Sequence, residues 1–183
     1  MPVAGRINRI EDGTVTNAKL AGGIVSSKLD TPGQVLQVQN SIKTDTIASA
    51  GAAAWQDIGL SVNITPTSTS SKIYVLASVS GSLNNSNTWL ALLRGTTFLG
   101  LGDAASNRLQ CTFGNFYTFG DANIMRTHGF QLLDSPSSTS ALTYKVQVRS
   151  AANTWYVNRT EADADDVDRG RASSSITVME IAS

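Results

Sequence analysis

The side chains best suited to chemistry lie in one acidic segment, residues 161–168, where carboxylates alternate with small residues. Carboxylate oxygens are the ligands that Ca²⁺ prefers, and Asp163, Asp165 and Asp168 would form such a site. The segment lacks the glycine and the final glutamate of an EF-hand loop. The spacing therefore favours a solvated acidic loop ahead of the last strand, with a cation site as the alternative.

The chain has a single histidine, His128, which is the natural candidate for a catalytic base. Strand alternation places it on one face with Ile124, Phe130 and Leu132. A general base needs a reacting partner within hydrogen-bond reach, and the sequence offers no such partner. The pattern predicts a hydrogen-bonded histidine at a packed or intersubunit surface, and a metal ion held by histidines of several subunits is the alternative.

Two further motifs lack the parts that a reaction requires. The single cysteine, Cys111, alternates with Leu109 and Phe113, which is typical of a small apolar filler. The glycine-rich residues 95–102 lack the lysine of a phosphate-binding loop and indicate a hairpin. The sequence therefore predicts a protein that is not an enzyme and uses no cofactor.

Aromatic side chains are the remaining candidates for ligand binding. Several of them fall on predicted strands, where they serve either as a platform for sugar rings or as ordinary core packing. The candidates are Trp55, Trp89, Tyr117, Trp155 and Tyr156.

Composition argues against nucleic-acid and membrane partners. The chain carries 14 basic and 14 acidic residues, with no basic stripe. Charged residues make up 15% of the chain, against about 25% in typical soluble domains. No apolar run reaches the length of a membrane helix, which is about 18 residues. The N-terminus has no apolar segment of the kind found in secretory signals, so we expect synthesis in the cytosol without export by that route.

Period-two alternation predicts an antiparallel all-β domain. It is cleanest in residues 58–64, 73–79 and 142–148, each with one apolar and one polar face. Less regular strands are predicted at 35–39, 41–47, 88–94, 97–101, 109–119, 124–133, 155–158 and 175–181. The last of these is apolar on both faces, which predicts a central strand. Many short strands without a helical segment indicate a jelly-roll-like β-sandwich, or an immunoglobulin-like sandwich as the alternative.

The first 32 residues differ from the rest and predict a separate N-terminal arm. Their apolar content is low, and residues 15–20 recur in similar form as residues 24–29. A unit this short cannot bury its apolar side chains alone, so it needs a partner surface. We therefore predict an extended arm over 1–32 and a β-sandwich head over 33–183, with a flexible tail as the alternative for the arm.

Several separated motifs carry a resemblance to a known family. They are residues 33–39, 43–46, 55–66, 69–76 and 170–182. In this order they resemble a domain of virion structural proteins of marine and freshwater phages, including cyanophages. That domain occurs in capsid cement and head-fibre proteins and in tail-fibre tips. The resemblance covers Gly33 to the C-terminus and implies a trimeric β-sandwich head on a thin N-terminal stem, with no catalytic residues.

The shortness of the arm favours one role within that family, a capsid decoration protein. Such a homotrimer would lie on the virion surface after synthesis in the host cytoplasm and would bind the major capsid protein through its arms. The anchoring side chains would be Arg6, Ile7, Arg9, Ile10, Val15, Lys19, Leu20 and Lys28.

Two other roles stay open. One is a short tail-fibre or spike protein that binds tail proteins and a receptor or glycan on the host surface. Its specificity would lie in the loops 81–87, 102–108 and 161–168, since binding residues concentrate on loops of rigid scaffolds. The other is a free carbohydrate-binding module.

Overall fold

The structure is a computed structural model that describes residues 32–83 and 87–183. Within these residues the chain forms ten strands and no helix, so no helix there could cross a membrane. The strands are β1 (Val35–Lys43), β2 (Ile47–Ala50), β3 (Trp55–Ile64), β4 (Lys72–Ser82), β5 (Thr88–Arg94), β6 (Thr97–Leu99), β7 (Arg126–Asp134), β8 (Leu142–Ser150), β9 (Thr154–Val157) and β10 (Ser174–Ile181).

The strands pair into two antiparallel sheets. The first sheet has the order β1-β10-β4-β9-β2, and β7 pairs along β4 from Ile73 to Gly81. The second sheet has the order β3-β8-β5-β6. This arrangement confirms the predicted all-β antiparallel sandwich.

The core lies between the sheets, where the inward rows of alternate residues meet. Ile58, Leu60, Val62 and Ile64 from β3 face the core of the sandwich, each at most 7% exposed. The matching rows of the other central strands are Ile73, Val75, Ala77 and Val79; Tyr144, Val146 and Val148; and Ile176 and Val178. Burial of each large aliphatic side chain stabilises the fold by about 1.5–3 kcal/mol before entropy costs.

The prediction that the last strand is central is confirmed, since β10 pairs with β1 on one side and β4 on the other. Its inner row is not wholly apolar, because Glu180 follows Ile176 and Val178 on that face and is fully buried. Thr177 and Met179 face outward and are half-buried.

Three details of the predicted strands are wrong. The predicted strand 109–119 is a loop with two isolated bridges, because Gly114 adopts a left-handed φ of 69° that interrupts the extended chain. The predicted break near Asn40 does not occur, since β1 stays paired with β10 across it. The predicted loop 81–87 begins later, because β4 runs to Ser82; residues 84–86 lie outside the described residues.

Glu180 connects the first sheet to the segment that follows β3. Its Oε1 accepts hydrogen bonds from the backbone N–H and the hydroxyl of Thr67, both at 2.7 Å. Its Oε2 accepts one from Nε2 of Gln37 at 2.6 Å. Burial acts to raise the pKa of Glu180, but the hydrogen bonds from Gln37, Thr67 and Ser71 outweigh it and lower the pKa below its ordinary value. The buried group is therefore a charged, multiply bonded carboxylate.

Asn158 holds together three chain segments at the end of β9. Its left-handed φ of 62° is one that asparagine tolerates better than most residues. Its Nδ2 donates to the carbonyls of Lys43, at 2.8 Å, and Asp45, at 3.0 Å. Its Oδ1 accepts from the Ser174 hydroxyl at 2.6 Å. The side chain thus ties the end of β1 to the start of β10.

A third polar cluster joins the two sheets across the sandwich. Oδ2 of Asp134, on β7, lies 2.6 Å from Nη1 of Arg94 and 2.7 Å from the Tyr144 hydroxyl, which donates to it. Burial, and then the adjacent Asp134 carboxylate, raise the pKa of Tyr144 far above its ordinary value. Tyr144 therefore stays a neutral hydrogen-bond donor in the folded protein.

Candidate functional site

The predicted anchoring residues of the arm lie outside the described residues. They are Arg6, Ile7, Arg9, Ile10, Val15, Lys19, Leu20 and Lys28. Their role stays a prediction.

The structure does not bring the three predicted calcium ligands together. Asp163, Asp165 and Asp168 are all exposed, and Asp163 pairs instead with Arg159 and with Arg171, whose Nη2 lies 2.6 Å away. Among the described residues, no group of three acidic, histidine or cysteine side chains is close enough to hold a metal ion. Neighbouring arginines therefore hold Asp163, while Asp165 and Asp168 lie exposed in the same loop.

His128 is packed and hydrogen-bonded, as the alternation predicts. Its Nε2 lies 2.8 Å from the carbonyl oxygen of Asn115, and its ring centroid is 5.7 Å from that of Phe116. The side chain is half-buried. Cys111 is also half-buried, and burial raises the pKa of its thiol. Both environments suit packing residues.

The five predicted aromatic residues do not form one platform. Trp155 is fully buried, and its Nε1 donates to the side chain of Gln56. Tyr156 lies beneath Arg159, whose guanidinium carbon is 4.5 Å from the ring centroid. The tertiary structure therefore separates the aromatic residues into surroundings with different chemistry.

The most unusual surface is the outward side of the first sheet, which we call the uncharged face. Pairing registers align its side chains in rows across β1, β10, β4 and β7. One row contains Val38, Met179, Tyr74 and Leu133. Further members of the face are Ile42, Asn40, Leu76, Ser78, Gly129, Gln131, Ser175, Thr177 and Ile181.

Large apolar side chains are exposed on the uncharged face. Val38 is 51% exposed, Ile42 61% and Leu133 54%. The lysine at its end, Lys72, donates to the Ser135 hydroxyl at 2.9 Å. A shallow depression of about 660 Å³ lies over Gly129, where the sheet has no side chain. The face thus combines exposed apolar groups, neutral polar groups and a concave centre.

The outward side of the second sheet has the opposite character. Asp57 on β3 pairs with Lys145 on β8, with Nζ and Oδ1 2.9 Å apart, and accepts a hydrogen bond from Gln147. Arg149 lies on the same side. Charged, mutually paired side chains are what a water-facing sheet normally carries. The two sheets therefore present outward sides of different chemistry, one largely uncharged and the other charged and ion-paired.

The size of the uncharged face fits an interaction surface. Four strands about 4.8 Å apart, each about seven residues long and presenting three or four outward side chains, cover roughly 440 Å². Only part of this area is apolar, because neutral polar side chains such as Asn40 and Gln131 share the face. A standard interface buries about 800 Å² per partner. The face would therefore form the centre of an interface completed by neighbouring elements.

The period-two alternation predicted strands at the positions of β1, β4, β7 and β10, but it did not predict that their outward side chains form one uncharged face. Val38, Ile42 and Leu133 lie on strands whose adjacency is decided by the fold. The sequence signal for this face was the final strand, which is apolar on its outward side, at Met179 and Ile181, as well as on its inward side.

Comparison with known proteins does not assign a function to this chain. No family model and no curated protein sequence matches the chain. Among solved structures, the chain is similar to the VP2 subviral particle of infectious bursal disease virus, with 10% sequence identity and a TM-score of 0.34. The similarity covers 81% of this chain and 38% of that one, so this chain spans about two fifths of the length of its neighbour. Similarity at this level carries no argument about function.

Proposed function

We propose that the protein is a structural component of a phage particle: a homotrimeric decoration protein whose heads associate through the uncharged face. The observation that carries the proposal is the contrast between the two sheet surfaces. Val38, Ile42 and Leu133 are each between 51% and 61% exposed, so burial of the remaining surface gains roughly 0.8–1.8 kcal/mol each before ordering costs are subtracted. The occupants are further copies of this chain, because the uncharged faces of three copies can converge around a three-fold axis without like-charge repulsion.

The arm completes this function in the proposal. Three arms on one trimer would bind neighbouring subunits of the major capsid protein together, so weak individual contacts would combine into tight attachment. Binding that is specific to the assembled shell stabilises the shell by mass action. Arg6, Arg9, Lys19 and Lys28 would contact acidic capsid surface, with the apolar anchors of the arm packed between them.

Association through the uncharged face is tested by introducing charge there. We expect Ile42→Lys to convert the full-length trimer to monomer in sedimentation equilibrium, because a lysine ammonium in an apolar interface must be desolvated without a partner. Asn63→Lys, on the exposed outward side of the second sheet, is the matched control and should stay trimeric. A monomeric parent protein, or a trimer indifferent to Ile42→Lys, would refute association through this face.

Location on the particle is tested separately, by quantitative mass spectrometry of purified virions. A copy number comparable with that of the major capsid protein supports decoration of the shell. A copy number that is a small fraction of it would refute decoration and favour the tail-fibre or spike role. Full-length protein with Arg6, Arg9, Lys19 and Lys28 changed to glutamate should remain trimeric but lose capsid binding.

A further inference from the structure

A second concave site lies on the opposite side of the molecule, above the second sheet. This cleft has a volume of about 410 Å³. It lies between the starts of β3 and β6 and the long segment that follows β6. Its principal lining residues are Trp55, Phe98, Leu101, Arg108, Gln110 and Arg149.

One wall of the cleft is aromatic. Trp55, the first residue of β3, packs against Phe98 of β6 with ring centroids 5.5 Å apart and planes inclined by 53°. Both side chains are only half-buried, so part of each ring faces the cleft. A tryptophan offers a large apolar ring with a polar N–H at its edge, which suits a ligand that is apolar on one face and polar at its rim. Pyranose rings have this character.

Two arginines in the lining supply positive charge. Arg149 lies beside Trp55 in the sheet register, and its Nε donates to the Ala53 carbonyl at 2.8 Å. That bond orients the guanidinium and leaves its two terminal nitrogens without a hydrogen-bond partner among the described residues. Arg108 is exposed, and its side chain makes no ion pair or hydrogen bond within the described part of the chain. Two guanidiniums thus face one small cleft that contains no acidic lining residue.

Neutral polar groups complete the site. Gln110 donates from Nε2 to the carbonyl of Gly102 at 2.7 Å, which holds its amide in place beside the cleft. Asn107 adds a second amide to the lining. Small-molecule sites typically combine an apolar wall with a few placed polar groups that set specificity. Here those groups match sugar hydroxyls, while the arginines match a planar anion.

We propose that this cleft binds an acidic saccharide, with a pyranose ring stacked on Trp55 and its carboxylate bound by Arg108 and Arg149. The fork of a guanidinium matches a carboxylate in two parallel hydrogen bonds, which makes arginine the preferred residue for this group. A simple anion would leave the aromatic wall unused, and a neutral sugar would leave both arginines unpaired. The site depends neither on trimer formation nor on the position of the protein on a particle.

The test uses the full-length protein with an oligomer of uronic acid, a neutral glucose oligomer of the same length and sulfated dextran. Calorimetry measures affinity, and the indole N–H resonance of Trp55, assigned from Trp55→Phe, reports stacking. We expect the uronate to bind and shift that resonance. Loss of charge-assisted hydrogen bonds in Arg108→Ala should weaken uronate binding about tenfold or more. Arg171→Ala, which removes an exposed arginine elsewhere, should bind as the parent does.

Each contrary outcome overturns a defined part of the proposal. Equal binding of the neutral oligomer, unchanged in Arg108→Ala, would refute recognition of the carboxylate. Sulfated dextran or a single-stranded oligonucleotide that produced the same shift with equal affinity would show a general polyanion surface. If no probe moves the Trp55 resonance, the cleft does not bind saccharides. Because the Arg108 side chain is exposed and makes no ion pair or hydrogen bond among the described residues, its substitution leaves these outcomes interpretable.

Discussion

The buried carboxylate of Glu180 offers the sharpest test of how the first sheet is tied to the segment that follows β3. We consider Glu180→Gln, which preserves the size of the side chain and removes its charge. The substituted amide can keep one oxygen for the two donors of Thr67, as in the parent. Its nitrogen must then replace Oε2 and face the amide nitrogen of Gln37, which lies 2.6 Å away in the parent. Two donors confront each other, and neither has an acceptor in that direction.

The expected cost follows from the bonds that are lost. A hydrogen bond to a charged group contributes about 1.5–3 kcal/mol, and an unsatisfied buried donor costs a similar amount. Relief of the desolvation penalty of the carboxylate offsets part of this, so we expect a net loss of about 1.5–3 kcal/mol at pH 7. For a domain of this size, each kcal/mol lowers Tm by about 2–4 °C. The melting temperature should therefore fall by about 3–12 °C.

The pH dependence distinguishes this explanation from a simple packing defect. The pKa of Glu180 is lowered in the folded state, so its stabilising contribution is present above the unfolded pKa, about 4.3. That contribution is lost as the pH falls through the folded value. The stability difference between Glu180→Gln and the parent should therefore be largest near neutral pH and shrink in acid.

Urea denaturation of both proteins between pH 3 and pH 7 measures this difference. Asp57→Asn is the matched control, because it changes an exposed acid paired with Lys145 and should cost no more than about 1 kcal/mol. A Glu180→Gln protein as stable as the parent at pH 7 would show that the carboxylate does not stabilise the contact between β10 and the segment that follows β3. A deficit that stayed constant into acid would refute the role of its charge.

Two further predictions concern other buried groups. Asn158→Ala should lower the free energy of unfolding, measured by urea denaturation, by about 2–4 kcal/mol. The substitution leaves the carbonyls of Lys43 and Asp45 without the Asn158 donor and places alanine at a left-handed φ. A loss below about 1 kcal/mol would contradict this. Cys111 should react with iodoacetamide several-fold more slowly in the native protein than in urea at pH 8, because its raised pKa reduces the thiolate fraction. Equal rates in mass-spectrometric labelling would show that burial does not protect the thiol.

The strands that the sequence predicts best are those with one face in the core and the other in water. Residues 58–64, 73–79 and 142–148 fall within β3, β4 and β8, since the pleat converts alternation directly into two faces. Alternation also predicted a strand at 109–119, and that prediction is wrong. Its residues also alternate, but Gly114 departs from the extended conformation, and a Cβ there would lie 2.5 Å from Leu90. Alternation alone does not report such a close approach.

The sequence by itself determined the fold class, and its alternation predicted the packed, hydrogen-bonded position of His128. The tertiary structure alone decided which distant residues meet. It placed Val38 and Leu133 on one uncharged face, and it brought Trp55 and Arg108 into the lining of one cleft. The physical reason is that alternation is a local property of the pleat. The order of strands in a sheet, and the loops folded over it, depend on the packing of the whole chain.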